Sequence, residues 1–143
     1  MKGKRIMKYL NLIDLLEKKV FKTPEKVLYT FLQYKNDEKK EFNLTYRNIY
    51  DKARSVAVYL KKKGIKKGDR VIIFSSETYD NIYSIFGTLF AGAIFTLIPP
   101  PVDEGKKQRF TSVLESSGAK YIFLNSTMAQ LIENNNDLDR KST

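Results

Sequence analysis

The sequence predicts an α/β protein, with an amino-terminal hairpin followed by alternating helices and parallel strands. Three observations carry this. From Tyr46 onward, helical patterns and short apolar runs alternate in the order helix, strand, helix, strand, helix, strand. The runs Val71–Phe74, Ala93–Ile98 and Tyr121–Leu124 read as buried strands, and the continuous apolar run Val71–Phe74 is what a strand covered on both faces requires. The stretch Asn81–Val102 carries no charge, yet Gly92 divides it and Pro99-Pro100-Pro101 closes it. It reads as a buried helix, a glycine stop and a buried strand.

In chain order, Leu12, Leu15, Leu16 and Val20 give Asn11–Phe21 a helical period, with Asn11 as N-cap and Asp14 in the first turn. Thr23-Pro24 ends that helix, because proline disfavours helical backbone in the residue before it. Val27–Gln33 is β-branched and aromatic, Asn36-Asp37 is a turn, and Glu41–Thr45 completes a hairpin. Thr45 caps the strongest helix, Tyr46–Lys63, whose apolar stripe is Ile49, Ala53, Val56, Ala57 and Leu60. Lysines in its last turn suit the helix dipole, and Gly64 takes the C′ position. Val71–Phe74 is the next strand. Tyr79–Ala91 is a helix capped by Ser76 or Thr78, and Ala93–Ile98 a strand with an extended proline exit. Glu104–Ser117 is a helix with Phe110, Val113 and Leu114 inward and Gly118 as its stop. Tyr121–Leu124 is the last strand, and Met128–Ile132 a short helix. The expected division is a domain over residues 1–132 and a polar, disordered tail over 133–143.

A bilayer span competes for Asn81–Val102, since about 20 apolar residues cross a membrane. It would leave the flanking amphipathic helices and the runs at Val71 and Tyr121 without partners. No transmembrane segment is expected. Gly87 and Ala91, four residues apart, suit close packing in lipid or against a sheet, and the sheet is preferred.

With 143 residues the chain is one domain or part of a larger one. It has no cysteine, hence no disulfide or thiolate chemistry, and no histidine, the usual general base and commonest metal ligand. The net charge is +10, and the excess lies in the first half: Met1–Lys8, Lys39-Lys40, Lys61-Lys62-Lys63 and Lys66-Lys67. These clusters fall at predicted helix ends and turns, and lysine strongly outnumbers arginine. A solvated surface is preferred to a nucleic-acid site. No apolar signal segment follows Met1–Lys8, and the expected location is cytoplasmic.

Neither a G-x-x-x-x-G-K-[ST] loop nor a G-x-G-x-x-G fingerprint occurs. Carboxylates near the expected sheet ends are Glu77, Asp80, Asp103 and Glu104, read as solvated loop acids rather than an acid–base pair.

Two stretches carry a family resemblance. Leu44-Thr45-Tyr46-Arg47-Asn48-Ile49, then Ala53 and Ala57, then Lys63-Gly64-Ile65-Lys66-Lys67-Gly68-Asp69-Arg70-Val71 form the first. The second is Gly87-Thr88-Leu89-Phe90-Ala91-Gly92-Ala93 running into Ile98-Pro99-Pro100, with Ser117-Gly118-Ala119-Lys120 beyond. Together they resemble the amino-terminal part of the large domain of adenylate-forming enzymes: acyl-CoA synthetases, peptide-synthetase adenylation domains and luciferases. The triple proline with Val102-Asp103, and Arg109 after it, is most similar to the fatty acyl-AMP ligase branch. Asn48 stands where that family usually has Glu, a shorter partner for Thr45 in a capping box.

The resemblance implies a parent that activates a fatty acid with ATP and magnesium to acyl-AMP and pyrophosphate. The acyl group then goes to an acyl carrier protein or coenzyme A. The family's phosphate loop, adenine and ribose motifs, magnesium glutamate and catalytic lysine lie outside the matched stretches. Accordingly no catalytic, cofactor-binding or metal-binding residue is assigned, no cofactor is expected on this stretch alone, and it is expected to be inactive. Two other readings stand beside this one: a non-catalytic module that pairs with the remainder of the enzyme, and a membrane-associated basic protein.

Overall fold

The computed structural model describes residues 10–75 and 78–124. Met1–Lys8, Ser76, Glu77, Met128–Ile132 and the tail 133–143 lie outside the described residues.

The chain opens with helix α1, Leu12–Lys22, and a hairpin of β1, Val27–Lys35, and β2, Glu38–Thr45. Asn11 caps α1 by accepting from the Asp14 N–H at 2.9 Å. Both hairpin strands extend further toward the turn than their apolar content predicts. Asn36 and Asp37 have φ of 51° and 61°, the left-handed pair of a two-residue hairpin turn, which lets pairing run up to Lys35 and Glu38.

Helix α2, Tyr46–Lys62, follows β2 without a loop. The Thr45 hydroxyl accepts from the Asn48 N–H at 3.2 Å. The Asn48 amide oxygen accepts from the Thr45 N–H at 3.0 Å. The capping box therefore closes with Asn in the Glu position, because the shorter amide still reaches the N–H.

Then come β3, Arg70–Phe74; α3, Tyr79–Phe90; β4, Ile94–Ile98; α4, Glu104–Ser117; and β5, Tyr121–Phe123. The three strands form a parallel sheet in the order β4-β3-β5. Thr78 is the N-cap of α3, and its side chain makes no cap hydrogen bond.

Helices cover both faces of this sheet. On one face Val71 and Ile73 pack with Ala57 and Leu60 of α2 and Ala91 and Ala93 after α3. On the other, Ile72 and Phe74 pack with Ile98, and with Phe110 and Val113 of α4. A third cluster joins Leu16, Leu44, Ile49, Ala53 and Phe86, tying α1 and the hairpin to α2 and α3. The apolar stripe of α2 thus serves two neighbours: its first half meets the hairpin layer and its second half the sheet.

Two expectations need correction. Only β3 is buried along its apolar run. Ile94 and Leu97 of β4 are exposed, and all three β5 residues are half-buried. The reason is strand order: β4 and β5 flank β3 and are edges among the described residues. Leu114 of α4 is exposed rather than inward, because Phe110 and Val113 already cover the sheet.

Candidate functional site

The described residues leave a crevice of about 450 Å³ at the carboxyl ends of β3 and β5, beside the first turns of α3. Open α/β sheets take ligands at this kind of place, where the chain leaves one strand toward one side and returns on the other. Here β3 leads through α3 to β4, and α4 carries the chain back past β3 to β5.

Val56 of α2, Ile73 and Phe74 of β3, and Phe123 and Leu124 at β5 supply apolar walls. Lys52, Asp80, Asn81, Tyr83 and Ser84 supply the polar groups. Burial, then Tyr79 and the Asp80 carboxylate, push the Tyr83 phenol above its ordinary value, so it stays a neutral donor. Tyr79 and Tyr83 pack at 5.9 Å between ring centres. Tyr79 also lies 6.2 Å from Phe31 and 6.3 Å from Phe42. These rings fasten the start of α3 to the hairpin, around a second cavity of about 110 Å³.

The chemistry available is limited. One carboxylate and one ammonium line the crevice, and among the described residues no three acidic, histidine or cysteine side chains converge to hold a metal. The crevice is built to hold an apolar group with a few hydrogen bonds.

The four carboxylates noted in the sequence have separate fates. Glu77 lies outside the described residues, and Asp80 lines the crevice. Asp103 caps α4, accepting from the Lys106 N–H at 2.8 Å and pairing with Lys106 Nζ at 2.8 Å. The Lys106 hydrogen bonds hold its carboxyl below the ordinary range. Glu104 pairs with Lys107 at 3.6 Å, and Arg109 is exposed on α4.

The Gly68-Asp69-Arg70 motif is a structural latch at the opposite end of the sheet. Asp69 accepts from the Lys66 N–H at 2.8 Å and pairs with Lys120 at 2.8 Å. Arg70 donates to the Ser117 carbonyl at 2.6 Å. Together they bind the loop before β3 to the turn before β5. The crevice-lining Lys52 and Tyr83 carry no sequence signal, since each sits on a helix whose pattern reports only packing.

A family model described as AMP-binding enzyme matches residues 16–143. L-2-aminoadipate reductase of Saccharomyces cerevisiae is 36% identical over 94 residues, which is 66% of this chain and 7% of that protein. The medium-chain-fatty-acid–[acyl-carrier-protein] ligase JamA of Moorena producens is 31% identical over 134 residues, which is 91% of this chain and 22% of that protein. Among solved structures, a fatty acid AMP ligase from Legionella pneumophila superposes with a TM-score of 0.79 at 24% identity, covering 89% of this chain and 22% of that one. The chain thus spans less than a quarter of the length of these relatives, and the structural likeness establishes the fold.

Proposed function

The chain belongs to the AMP-binding enzyme family, and on that premise we propose that it is the amino-terminal scaffold of a ligase that activates a fatty acid. The carboxylate would join the α-phosphorus of ATP, giving acyl-AMP and releasing pyrophosphate. The acyl group would then pass to a carrier protein or to coenzyme A. The observation that carries this reading is the family match from residue 16 to residue 143, on a fold that superposes on a fatty acid AMP ligase over 89% of this chain. The fatty-acid assignment draws on the JamA likeness across 91% of the chain and on the Pro99-Pro100-Pro101-Val102-Asp103 exit from β4.

The same reading makes this stretch inactive alone, with no ATP or magnesium bound by it. Acyl adenylation needs donors and a cation aimed at the developing phosphoryl charge. The sequence has no glycine-rich phosphate loop of the G-x-x-x-x-G-K-[ST] kind. The role of this stretch is then to bury α3 and β3 and to present the crevice to the remainder of the enzyme. A cytoplasmic setting fits a chain without cysteine, and among the described residues no helix is long and apolar enough to cross a membrane.

An amino acid is the second reading of the substrate, favoured by the 36% identity to L-2-aminoadipate reductase. ATP–pyrophosphate exchange tests both. The purified 143-residue chain is expected to show no exchange with any acid, and exchange by it overturns the inactivity. A whole enzyme that carries this stretch as its amino-terminal part is expected to exchange with fatty acids. Exchange with amino acids alone replaces the substrate assignment.

A further inference from the structure

We infer that the end of the sheet where the parallel strands begin is a docking surface for an anionic lipid bilayer. Three turns meet there. The Gly68 N–H donates to the Gly92 carbonyl at 2.9 Å, and the Lys120 N–H donates to the Arg70 carbonyl at 2.9 Å. The last turn of α2 ends beside them. This places Lys61, Lys62, Lys63, Lys66 and Lys67 at one end of the molecule, all of them exposed.

These five lysines form no ion pair among the described residues, whereas pairs there sit on α1, the hairpin, the start of α2 and α4, and join Asp69 to Lys120. Of the carboxylates at this end, Asp69 is taken by Lys120 and the Lys66 N–H, and Glu115 lies on the last turn of α4. The local charge is therefore strongly positive.

The composition of the surface selects the partner. A protein interface has an apolar or aromatic core and is poor in lysine; here lysine dominates. A nucleic-acid site uses arginine forks or open aromatic faces. Arg70 is committed to the Ser117 carbonyl, and Tyr59 lies under Lys63 with its hydroxyl bonded to Tyr121. What remains is a set of ammonium groups with no paired carboxylate, suited to the diffuse field of an anionic membrane. The inference is independent of the adenylation reading.

The test is co-sedimentation of the full chain with vesicles of one part phosphatidylglycerol to three parts phosphatidylcholine. Binding is expected, with none to phosphatidylcholine alone, and release is expected at about 1 M salt, where the screening length falls to about 3 Å. Changing all five lysines to Gln is expected to weaken binding about 3000-fold, at about fivefold per lysine. The smaller variant K66Q/K67Q, which leaves α2 untouched, is expected to lose about 25-fold. Changing Lys2, Lys4, Arg5 and Lys8 to Gln, or Lys35, Lys39 and Lys40 to Gln, is expected to leave most of the binding in place. The inference is overturned by absent or charge-independent vesicle binding, by a control variant losing as much as the five-lysine variant, or by tighter binding to single-stranded RNA at the same salt.

Discussion

Asp69 shows how one side chain ties strand to loop. Its carboxyl is held below the ordinary value of 3.8, chiefly by the Lys120 hydrogen bond and then by the Lys66 N–H. A depressed carboxyl contributes stability that is fully present above its unfolded pKa and lost as pH falls through its folded one. Asp69→Asn is therefore expected to lower the melting temperature at neutral pH and to leave it less sensitive to acidification below about pH 4; thermal unfolding across that range checks it. Asp14 and Asp103 are shifted the same way, so the variant keeps part of the acid response. Tyr121 has the opposite sign. Burial, then its hydrogen bond to Tyr59 at 3.0 Å, push its phenol from 10.0 up to about 12. That contribution is present below about pH 10 and is lost as pH rises toward 12. Tyr59→Phe is expected to bring the Tyr121 transition down in a spectrophotometric titration. At the start of α2, Asn48→Ala opens the capping box and is expected to cost about 1 kcal/mol in urea unfolding, while Asn48→Glu is expected to be neutral or better.

Between elements, α3 packs closely on α2 at Gly87. A Cβ on Gly87 would overlap the Val56 side chain and lie 3.1 Å from the Ala53 carbonyl oxygen. Gly87→Ala is therefore expected to destabilise by about 1–3 kcal/mol. Adding Val56→Ala is expected to recover part of that loss, a non-additivity that a double-mutant cycle measures. The existence and type of these elements were legible in the chain. Of the predicted stripe, Ile49, Ala53, Ala57 and Leu60 are buried and Val56 is half-buried, and Gly64, Gly92 and Gly118 have the positive φ that their place at helix ends requires. The hairpin was legible only in part. Asn36-Asp37 marks the turn, but the polar run Glu38–Lys40 has no strand pattern, and only cross-strand pairing makes it β.

On the scale of the whole molecule, β3 is the centre. It pairs on both edges, Val71, Ile72 and Ile73 are essentially inaccessible, and each face meets a different helix layer. Ile72→Ala is expected to cost about 2–5 kcal/mol, and Leu114→Ala on the exposed side of α4 no more than about 0.5 kcal/mol. Chemical denaturation of the two variants checks the contrast. The sequence by itself determined the α/β class, the order and type of the elements, and the family, because these follow from local periodicity, turn residues and two spaced motifs. Only the tertiary structure decided which strand lies between the other two. An apolar run of five residues looks the same at the centre of a sheet as at its edge, and β4 and β5 differ from β3 in pairing, not in pattern. The crevice is likewise a product of that order, since its walls come from α2, β3, α3 and β5, which are distant in sequence and meet only when the sheet has formed.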